Sequence, residues 1–426
     1  MVSLWQDLAP WEVPTALALV VLTILLNVYF TPLDALPNSL IKTHTRIGLL
    51  PSQTNLDAQK KSPLGGSKIT LRSLWIYPLK SCRGIELAQS RVLPTGLEFD
   101  RLFTFAQLRG DETTWRFLTQ REAPLLTNLS VAVWLANSAD GSGVIVVKFP
   151  WTEKSSRGWR QRIVNALTGG TYEKVFTLPL DFPSKGDIEA KAYKFEDVKI
   201  WNNVTTALNM IEAVPPELEK YLGMRHRLAL FRMDPSNRRE VFRCAPKKED
   251  VGYQPVVDFH DAVGQRIIIL GDDVNTPKYP LHLLSLNSVR DLESKIEDDT
   301  FDSLDPRRFR SNMIMSGGKP YEEEQWTSVR FGTAADNVQF HVSCRTVRCK
   351  MPNVDQDNGN RHRNEPDRSL RKFRDVDKGS PKYGCLGMQL CPLFPESRPK
   401  RDLESTVHVG MEVVPLSTGD HFYIPI

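Results

Sequence analysis

The chain has 426 residues, 41% of them hydrophobic, and a formal net charge of only +4. That is long enough for a sizeable core and for two domains. The near-neutral balance excludes a generally basic, nucleic-acid-coating protein, so any cationic function must be local. The six cysteines (Cys82, Cys244, Cys344, Cys349, Cys385 and Cys391) are too sparse for a disulfide framework and point to a reducing compartment.

In chain order, residues 1–35 contain an uncharged apolar run, Val13 to Phe30. Its length is about that needed to cross a bilayer core. Asp7 and Glu12 precede it, and Lys42, Arg46, Lys60 and Lys61 follow. No positive leader or small-residue cleavage site marks a secretory signal. The expectation is a single membrane anchor over about 13–30, with the body on the cytosolic side by the positive-inside rule. Residues 36–68 are rich in Pro, Asn, Ser, Gln and Lys and read as a flexible linker.

From Ile69 the pattern turns to short β-branched and alternating runs. Strands are expected at Leu74–Tyr77, Leu102–Ala106, Val131–Leu135, Val144–Phe149 and Val198–Trp201, separated by turns such as Pro94-Thr95-Gly96. Pro216–Gly223 reads as a short helix, and Leu228–Met233 and Ile267–Leu270 as strands. Ser285–Ile296 places Leu286, Val289, Leu292 and Ile296 on one helical face, with Ser285 as N-cap. Met313–Met315, Val329–Phe331 and Phe340–Val342 are further strand candidates. Residues 353–382 read as a charged surface loop with helix near Leu370–Phe373. The fold class is mainly β with some α, an α+β chain of barrels or sandwiches.

Three segments could carry chemistry. Tyr77-Pro78-Leu79-Lys80-Ser81-Cys82-Arg83-Gly84 follows a strand and offers cationic and hydroxyl donors for an anion. Arg307-Arg308-Phe309-Arg310-Ser311-Asn312 sets basic residues before a strand. His341 to Cys349 places arginines beside Cys344 and Cys349, and positive neighbours favour the metal-binding thiolate. Each segment alone reads more readily as a solvated turn, a charged loop or ordinary buried cysteines. The C-x4-C and C-x5-C spacings of Cys344, Cys349, Cys385 and Cys391 are wider than usual zinc knuckles, leaving structural zinc as a weaker alternative. No dinucleotide fingerprint, P-loop, zincin or nucleophile-elbow motif is present. His260 and His341 are the histidines nearest these segments, and both read as structural.

Taken in order, the segments resemble one family. Trp75 to Gly84, then Gly96-Leu97, Asp100-Arg101 and Thr119-Gln120-Arg121-Glu122-Ala123-Pro124, is similar to the N-terminal β-barrel of MOSC proteins. Phe309-Arg310-Ser311-Asn312, Ser316-Gly317 and Pro320 to Trp326 resemble the MOSC domain's "FRPN…SG…PFEEDxW". Cys349 with Val354 to Gly359 resembles its "RCxxTTVDPDTG", and Val409 to Val413 its closing barrel strand. The resemblance implies a MOSC N-terminal β-barrel domain over 69–205 and a MOSC β-barrel domain over 206–426. With an N-terminal anchor, the whole is similar to the mitochondrial amidoxime-reducing component.

That resemblance implies the molybdenum cofactor, Mo-molybdopterin. Cys349 would be the protein ligand to molybdenum and the catalytic residue. Lys80, Ser81, Arg101 and Arg310 would hold the pterin and its phosphate, and Asn312 would orient the loop beside them. The implied activity is reduction of N-hydroxylated compounds with electrons from cytochrome b5 and NADH-cytochrome b5 reductase, since no iron–sulfur domain is read in these residues. The implied site is the mitochondrial outer membrane in preference to the endoplasmic reticulum. Arg345 and Arg348 are expected to favour the Cys349 thiolate, and Asp261 or Tyr279 to reach the cofactor. Two departures stand out: Pro352-Asn353 replaces the paired threonines, and an insertion separates Asp261 from Tyr279. The alternatives are a non-enzymatic molybdopterin carrier and a sulfur-transfer protein, although no pyridoxal-phosphate domain is read here to supply sulfur.

Overall fold

The computed structural model describes residue 21 and residues 38–56, 68–110, 113–151, 173–201, 203–260, 278–333, 337–395 and 403–421. The chain separates into two units, residues 1–43 with 148–175, and residues 44–147 with 176–426. In the first, Asn38–Thr43 is a short helix closed by a hydrogen bond from the Thr43 hydroxyl to the Ser39 carbonyl. The second holds the barrel, the eight-stranded sheet and the site described below. Among the described residues no helix is long and apolar enough to cross a membrane. Apart from Val21, the segment expected as an anchor, 13–30, lies outside those residues, as do Asp261 and the strand expected at Ile267–Leu270.

The second unit is built from strands. In chain order the first thirteen of the chain are β1 His44–Arg46, β2 Thr70–Ile76, β3 Ile85–Leu87, β4 Gln89–Leu93, β5 Gly96–Leu97, β6 Phe103–Leu108, β7 Trp115–Phe117, β8 Ser130–Ala136, β9 Val144–Pro150, β10 Glu173–Pro179, β11 Lys194–Ile200, β12 Asn203–Asn209 and β13 Arg227–Arg232. They continue with β14 Arg239–Glu240, β15 Val256–Val257, β16 Leu281–Ser285, β17 Met313–Ser316, β18 Trp326–Phe331, β19 Val338–Val347, β20 Cys385–Leu393, β21 Ser405–His408 and β22 Val413–Thr418.

Strands β11-β12-β13-β6-β7 close into a barrel. Its apolar core includes Trp115, Val198, Ile200, Phe231 and Phe259, with Trp115 and Phe231 edge to face at 5.6 Å. An eight-stranded sheet runs β22-β18-β19-β20-β16-β17-β2-β3. It curls so that Leu71 N–H donates to the Met411 carbonyl (2.8 Å) and Val413 N–H to that of Ile69 (2.9 Å). The start of β2 is thereby joined to the segment that enters β22.

Most sequence expectations fall inside these strands. The helix expected from Ser285 runs Leu286–Glu293, and the Ser285 hydroxyl accepts from Ser288 N–H (3.4 Å). It is the crossover between the parallel neighbours β16 and β17, and its apolar stripe packs with Leu304, Phe309, Leu370 and Leu386. Near Leu370 the helix spans Asp367–Phe373.

Three expectations are corrected. A division at residue 205 would cut β12 and separate β13 from its barrel partner β6, because barrel closure needs strands from both sides. β2 and β3, in turn, belong to the eight-stranded sheet with the later strands. The linker assigned to 36–68 contains β1, which pairs antiparallel with β8. The tail 409–413 is not one closing strand. Gly410, at φ 94°, turns the chain between β21, which pairs with β4, and β22, which pairs with β18.

One buried carboxyl gives the unit a pH signature. Glu323 sits in the 3-10 turn Glu322–Gln325, accepts from the Ser288 hydroxyl (2.8 Å), and burial pushes its pKa from 4.5 up to about 7. The folded state therefore keeps this proton at pH values where the unfolded chain has released it, and stability falls as pH rises from 4.5 towards 7. Glu323→Gln should remove that slope and gain ~1–2 kcal/mol over wild type at alkaline pH. Thermal unfolding of both proteins across this range is the measurement; parallel curves would place the buried charge elsewhere.

Candidate functional site

The site begins where β2 ends. Pro78 terminates the strand, and residues 77–80 run alongside 101–103: Arg101 N–H donates to the Tyr77 carbonyl (2.9 Å), Phe103 N–H to that of Pro78 (3.0 Å) and Lys80 N–H to that of Phe103 (2.8 Å). Two left-handed residues, Ser81 (φ 67°) and Arg101 (φ 53°), shape this corner. A third, Arg310 (φ 51°), closes the turn Pro306–Phe309 just before β17. The two corners meet at Tyr77, whose ring lies 5.1 Å from the Arg101 guanidinium carbon and 4.1 Å from that of Arg310.

Beneath them Asp100 is fully buried. Its carboxylate pairs with the Arg101 guanidinium, accepts from Tyr77 N–H (2.7 Å) and from the Asn312 amide (2.9 Å), and lies 3.3 Å from His260 Nε2. Burial alone would raise its pKa. The opposing effects of Arg101, His260 and the Tyr77 N–H win, and the group is held below its ordinary value. Asn312 is satisfied on both sides. Its amide also donates to the Trp75 carbonyl (3.1 Å), and its oxygen accepts from His282 N–H (3.2 Å) and Arg101 (3.3 Å). One side chain thus ties β2, β16 and the start of β17 to Asp100.

These residues face a pocket of about 60 Å³ that is partly open to solvent. Arg101, Arg310, Asn312, Arg348 and Cys349 line it, with His260, Tyr279, His282, Thr346 and Gln389 on the remaining walls. Among the described residues lining it are three arginines and no carboxylate. Cys349 is partly exposed, in the turn that follows β19.

Arg348 is held from several sides. It donates to the carbonyls of Leu386 (2.7 Å) and Phe309 (3.2 Å) and to His282 Nε2 (2.6 Å). Arginine only donates, so His282 Nε2 must accept and its proton must sit on Nδ1, which reaches the Ser311 hydroxyl at 2.6 Å. Burial, then the charges of Arg348 and Arg101, keep this imidazole neutral, well below its ordinary pKa. Gly387 makes the arrangement fit: it adopts φ 80°, and a Cβ there would lie 2.5 Å from His282 Nε2.

Of the six residues singled out from sequence, Arg101, Arg310, Asn312 and Cys349 share this pocket wall. Lys80 and Ser81 lie in the adjoining corner, both buried. The Lys80 ammonium donates to the Phe259 carbonyl (3.1 Å). The Ser81 hydroxyl is buried without a hydrogen-bond partner. Arg345 departs from expectation. It meets Glu324 (3.3 Å) and the His421 carbonyl (2.7 Å) and lies 3.7 Å from Asp377, so its charge is committed to carboxylates rather than to Cys349. Tyr279 and His260 do reach the pocket. His282, Thr346 and Gln389 escaped the sequence reading; Gln389 donates to the Thr346 hydroxyl at 2.8 Å. Only the pairing of β16, β19 and β20 brings them to one wall, and a single sequence does not show that pairing. Among the described residues no cluster of three or more His, Cys, Asp or Glu could hold a metal, which removes the zinc alternative from them.

The comparisons agree with this geometry. Residues 68–169 match the MOSC N-terminal beta barrel domain and residues 269–414 the MOSC domain. A molybdenum cofactor sulfurase of Danio rerio is 25% identical over 317 residues, covering 72% of this chain and 31% of that protein. Mitochondrial amidoxime-reducing component 1 of Homo sapiens is 22% identical over 323 residues, covering 74% of this chain and 75% of that protein. Mitochondrial amidoxime reducing component 2 of Bos taurus is 24% identical over 326 residues, covering 74% and 77%. The chain belongs to the MOSC-domain proteins, with a MOSC N-terminal β-barrel domain ahead of its MOSC domain. It spans about a third of the sulfurases it matches and about three quarters of the amidoxime-reducing components.

The Asn312 network is testable without any ligand. Asn312→Ala removes hydrogen bonds to four groups at once, and a cost of ~2–4 kcal/mol is expected. Chemical denaturation reads it directly; a cost below ~1 kcal/mol would mean that Asp100 does not depend on this amide.

Proposed function

We propose that the chain is a molybdenum-cofactor-dependent oxidoreductase that reduces N-hydroxylated compounds with electrons from an external donor such as cytochrome b5, itself served by NADH-cytochrome b5 reductase. The MOSC domain and the relatives point to molybdenum-cofactor binding, and the relatives are molybdenum-cofactor-related enzymes. One observation carries the reading. A partly exposed thiol, Cys349, stands on the wall of a pocket lined by three arginines and by no carboxylate among the described residues.

The residues fit the cofactor. A pyranopterin phosphate is an anion, and guanidinium groups fixed in place are its natural partners. The buried Ser81 hydroxyl and His260 Nδ1 have no hydrogen-bond partner among the described residues. His260 Nε2 faces the ionised Asp100, so Nε2 holds the proton and Nδ1 is a bare acceptor. An unmet buried polar atom costs ~1–3 kcal/mol, which a ligand's own polar groups would offset.

When bound, the cofactor supplies the redox chemistry at molybdenum. Cys349 would hold the metal through its sulfur. Arg101 and Arg310, with Lys80 and Ser81 beside them, would hold the pterin and its phosphate, and Asp100 and Asn312 would fix both arginines' corners. His282 keeps Arg348 in position and stays neutral, so it places no competing positive charge of its own on that wall. An N-terminal tether through residues 13–30, in the mitochondrial outer membrane in preference to the endoplasmic reticulum, is part of the proposal. Resistance of the full chain to alkaline carbonate extraction tests that tether, and release by carbonate would remove it.

The sulfurase relatives favour a second reading, in which the same pocket carries molybdopterin or receives sulfur without turnover. The full chain, expressed in a molybdopterin-competent host, separates the two. About one molybdenum per chain is expected in wild type and none in Cys349→Ala. With cytochrome b5 and its reductase, the loaded protein should reduce an amidoxime. Molybdenum unaffected by the substitution overturns the ligand assignment, and loaded protein that reduces no N-hydroxylated substrate moves the reading to a carrier.

A further inference from the structure

Behind the pocket lies a group of cysteines that the proposed chemistry does not use. Cys344 on β19 and Cys391 on β20 are fully buried, and Cys244, in the turn after β14, packs against them and is partly exposed. Cys244 packs against the cluster that holds Cys344, near enough that its charge would oppose ionisation of the Cys344 thiol. Tyr279 belongs to the same cluster: its hydroxyl is buried, has no hydrogen-bond partner among the described residues, and lies near the Cys344 and Cys244 thiols. The ring of the same tyrosine lines the pocket that contains Cys349. Cys391 is engaged differently, accepting from the Ser343 hydroxyl at 3.6 Å.

We propose that Cys244 and Cys344 are a thiol oxidation site that forms a reversible disulfide in response to a hydroperoxide, with Tyr279 transmitting the change to the pocket wall. The proposal does not depend on the identity of the cofactor or substrate. Partial exposure makes Cys244 the sulfur that meets the oxidant first. Its thiolate attacks the hydroperoxide: an S–O bond forms, the O–O bond breaks, and an alcohol (water, from hydrogen peroxide) leaves once protonated. Cys244 is then a sulfenic acid. The Cys344 sulfur attacks it, an S–S bond forms, the S–O bond breaks, and water departs with the Cys344 proton. The two thiols have lost two electrons in total, and the hydroperoxide has gained them.

Burial holds the Cys344 thiol well above its ordinary pKa, and the Tyr279 hydroxyl works against that by donating to the sulfur as charge develops. Tyr279 is therefore the positioning residue of the second step. In the disulfide neither sulfur bears a proton or a charge, and the tyrosine hydroxyl loses its best acceptor. A reducing compartment, as the sparse cysteines suggest, makes such a bond transient and sensing rather than structural.

The test uses the full chain, hydrogen peroxide and non-reducing peptide mapping. Wild type should lose two of its six thiols and yield a Cys244–Cys344 peptide that a dithiol reverses. Cys344→Ala should stop at a sulfenic acid on Cys244, trapped by a dimedone probe. Cys244→Ser, at the partly exposed position, should leave Cys344 reduced and guards against a folding defect in the first variant. Tyr279→Phe should slow bridge formation about tenfold without slowing sulfenic acid formation. Over-oxidation of Cys244 with Cys344 still free, or a bridge from Cys244 to Cys391, overturns the assignment. Equal rates in Tyr279→Phe and wild type would remove the tyrosine from it.

Discussion

The arrangement turns on one buried negative charge. Asp100 has no exposed surface to its side chain, and an ionised carboxylate in such a place is expensive unless every lone pair is met. It is met by a guanidinium, a backbone N–H, an amide and an imidazole that come from four separate stretches of chain: Arg101, Tyr77, Asn312 and His260. The stretches cannot drift apart without leaving that charge unpaired, which would cost several kcal/mol. Asp100 thus does for the pocket what a metal or a disulfide does elsewhere. It makes the position of each wall conditional on the others.

The same logic explains why the pocket stays positive. Asp100 is spent on Arg101 from below. Arg310 and Arg348 are oriented by carbonyl oxygens of Cys82, Leu386 and Phe309, which fix a guanidinium without neutralising it. The other carboxylate–arginine pairs lie away from the pocket. Arg307 is clasped by Asp305 and Asp357, and Arg308 by Asp355, in contacts that fasten the loop after Cys349. That loop turns at Gly359 (φ 73°), whose position against the Pro124 carbonyl leaves 3.0 Å for a Cβ. Charge neutralised in the loop and left standing in the pocket is a division that a net charge of +4 conceals.

The sequence announced the strands and most of the pocket, and the reasons it stopped short are specific. Periodicity located β8 and the helix after Ser285, because each buries one face and shows the matching repeat, while β2 and β6 were legible as short apolar runs rich in aromatic residues. It missed β20, since Cys385–Leu393 is buried on both faces and shows no alternation. It placed Arg345 beside Cys349 by proximity in the chain. In the fold, irregularities in the β19–β20 register between Val342 and Cys344, and between Arg345 and Val347, interrupt simple alternation, and Arg345 is committed to Glu324. His282 went unseen because nothing in a buried strand distinguishes a histidine that holds an arginine from one that fills a core.

Those two register shifts also decide which sulfur does what. Cys344 and Cys349 are five positions apart in one segment and carry similar neighbours in sequence. One irregularity precedes Cys344 and the other lies between the two cysteines, and Cys344 ends fully buried among Tyr279, Cys244 and Cys391, while Cys349 reaches the pocket in the turn beyond the strand. A thiolate is a metal ligand only where solvent or a cation supports its charge, and a buried thiol among apolar and phenolic groups is not such a place. The local backbone distortion, rather than the identity of the flanking arginines, therefore separates the proposed ligand thiol from the proposed redox-sensitive one. Tyr279, touching the second group and lining the first, is the element through which a change in either could be felt by the other.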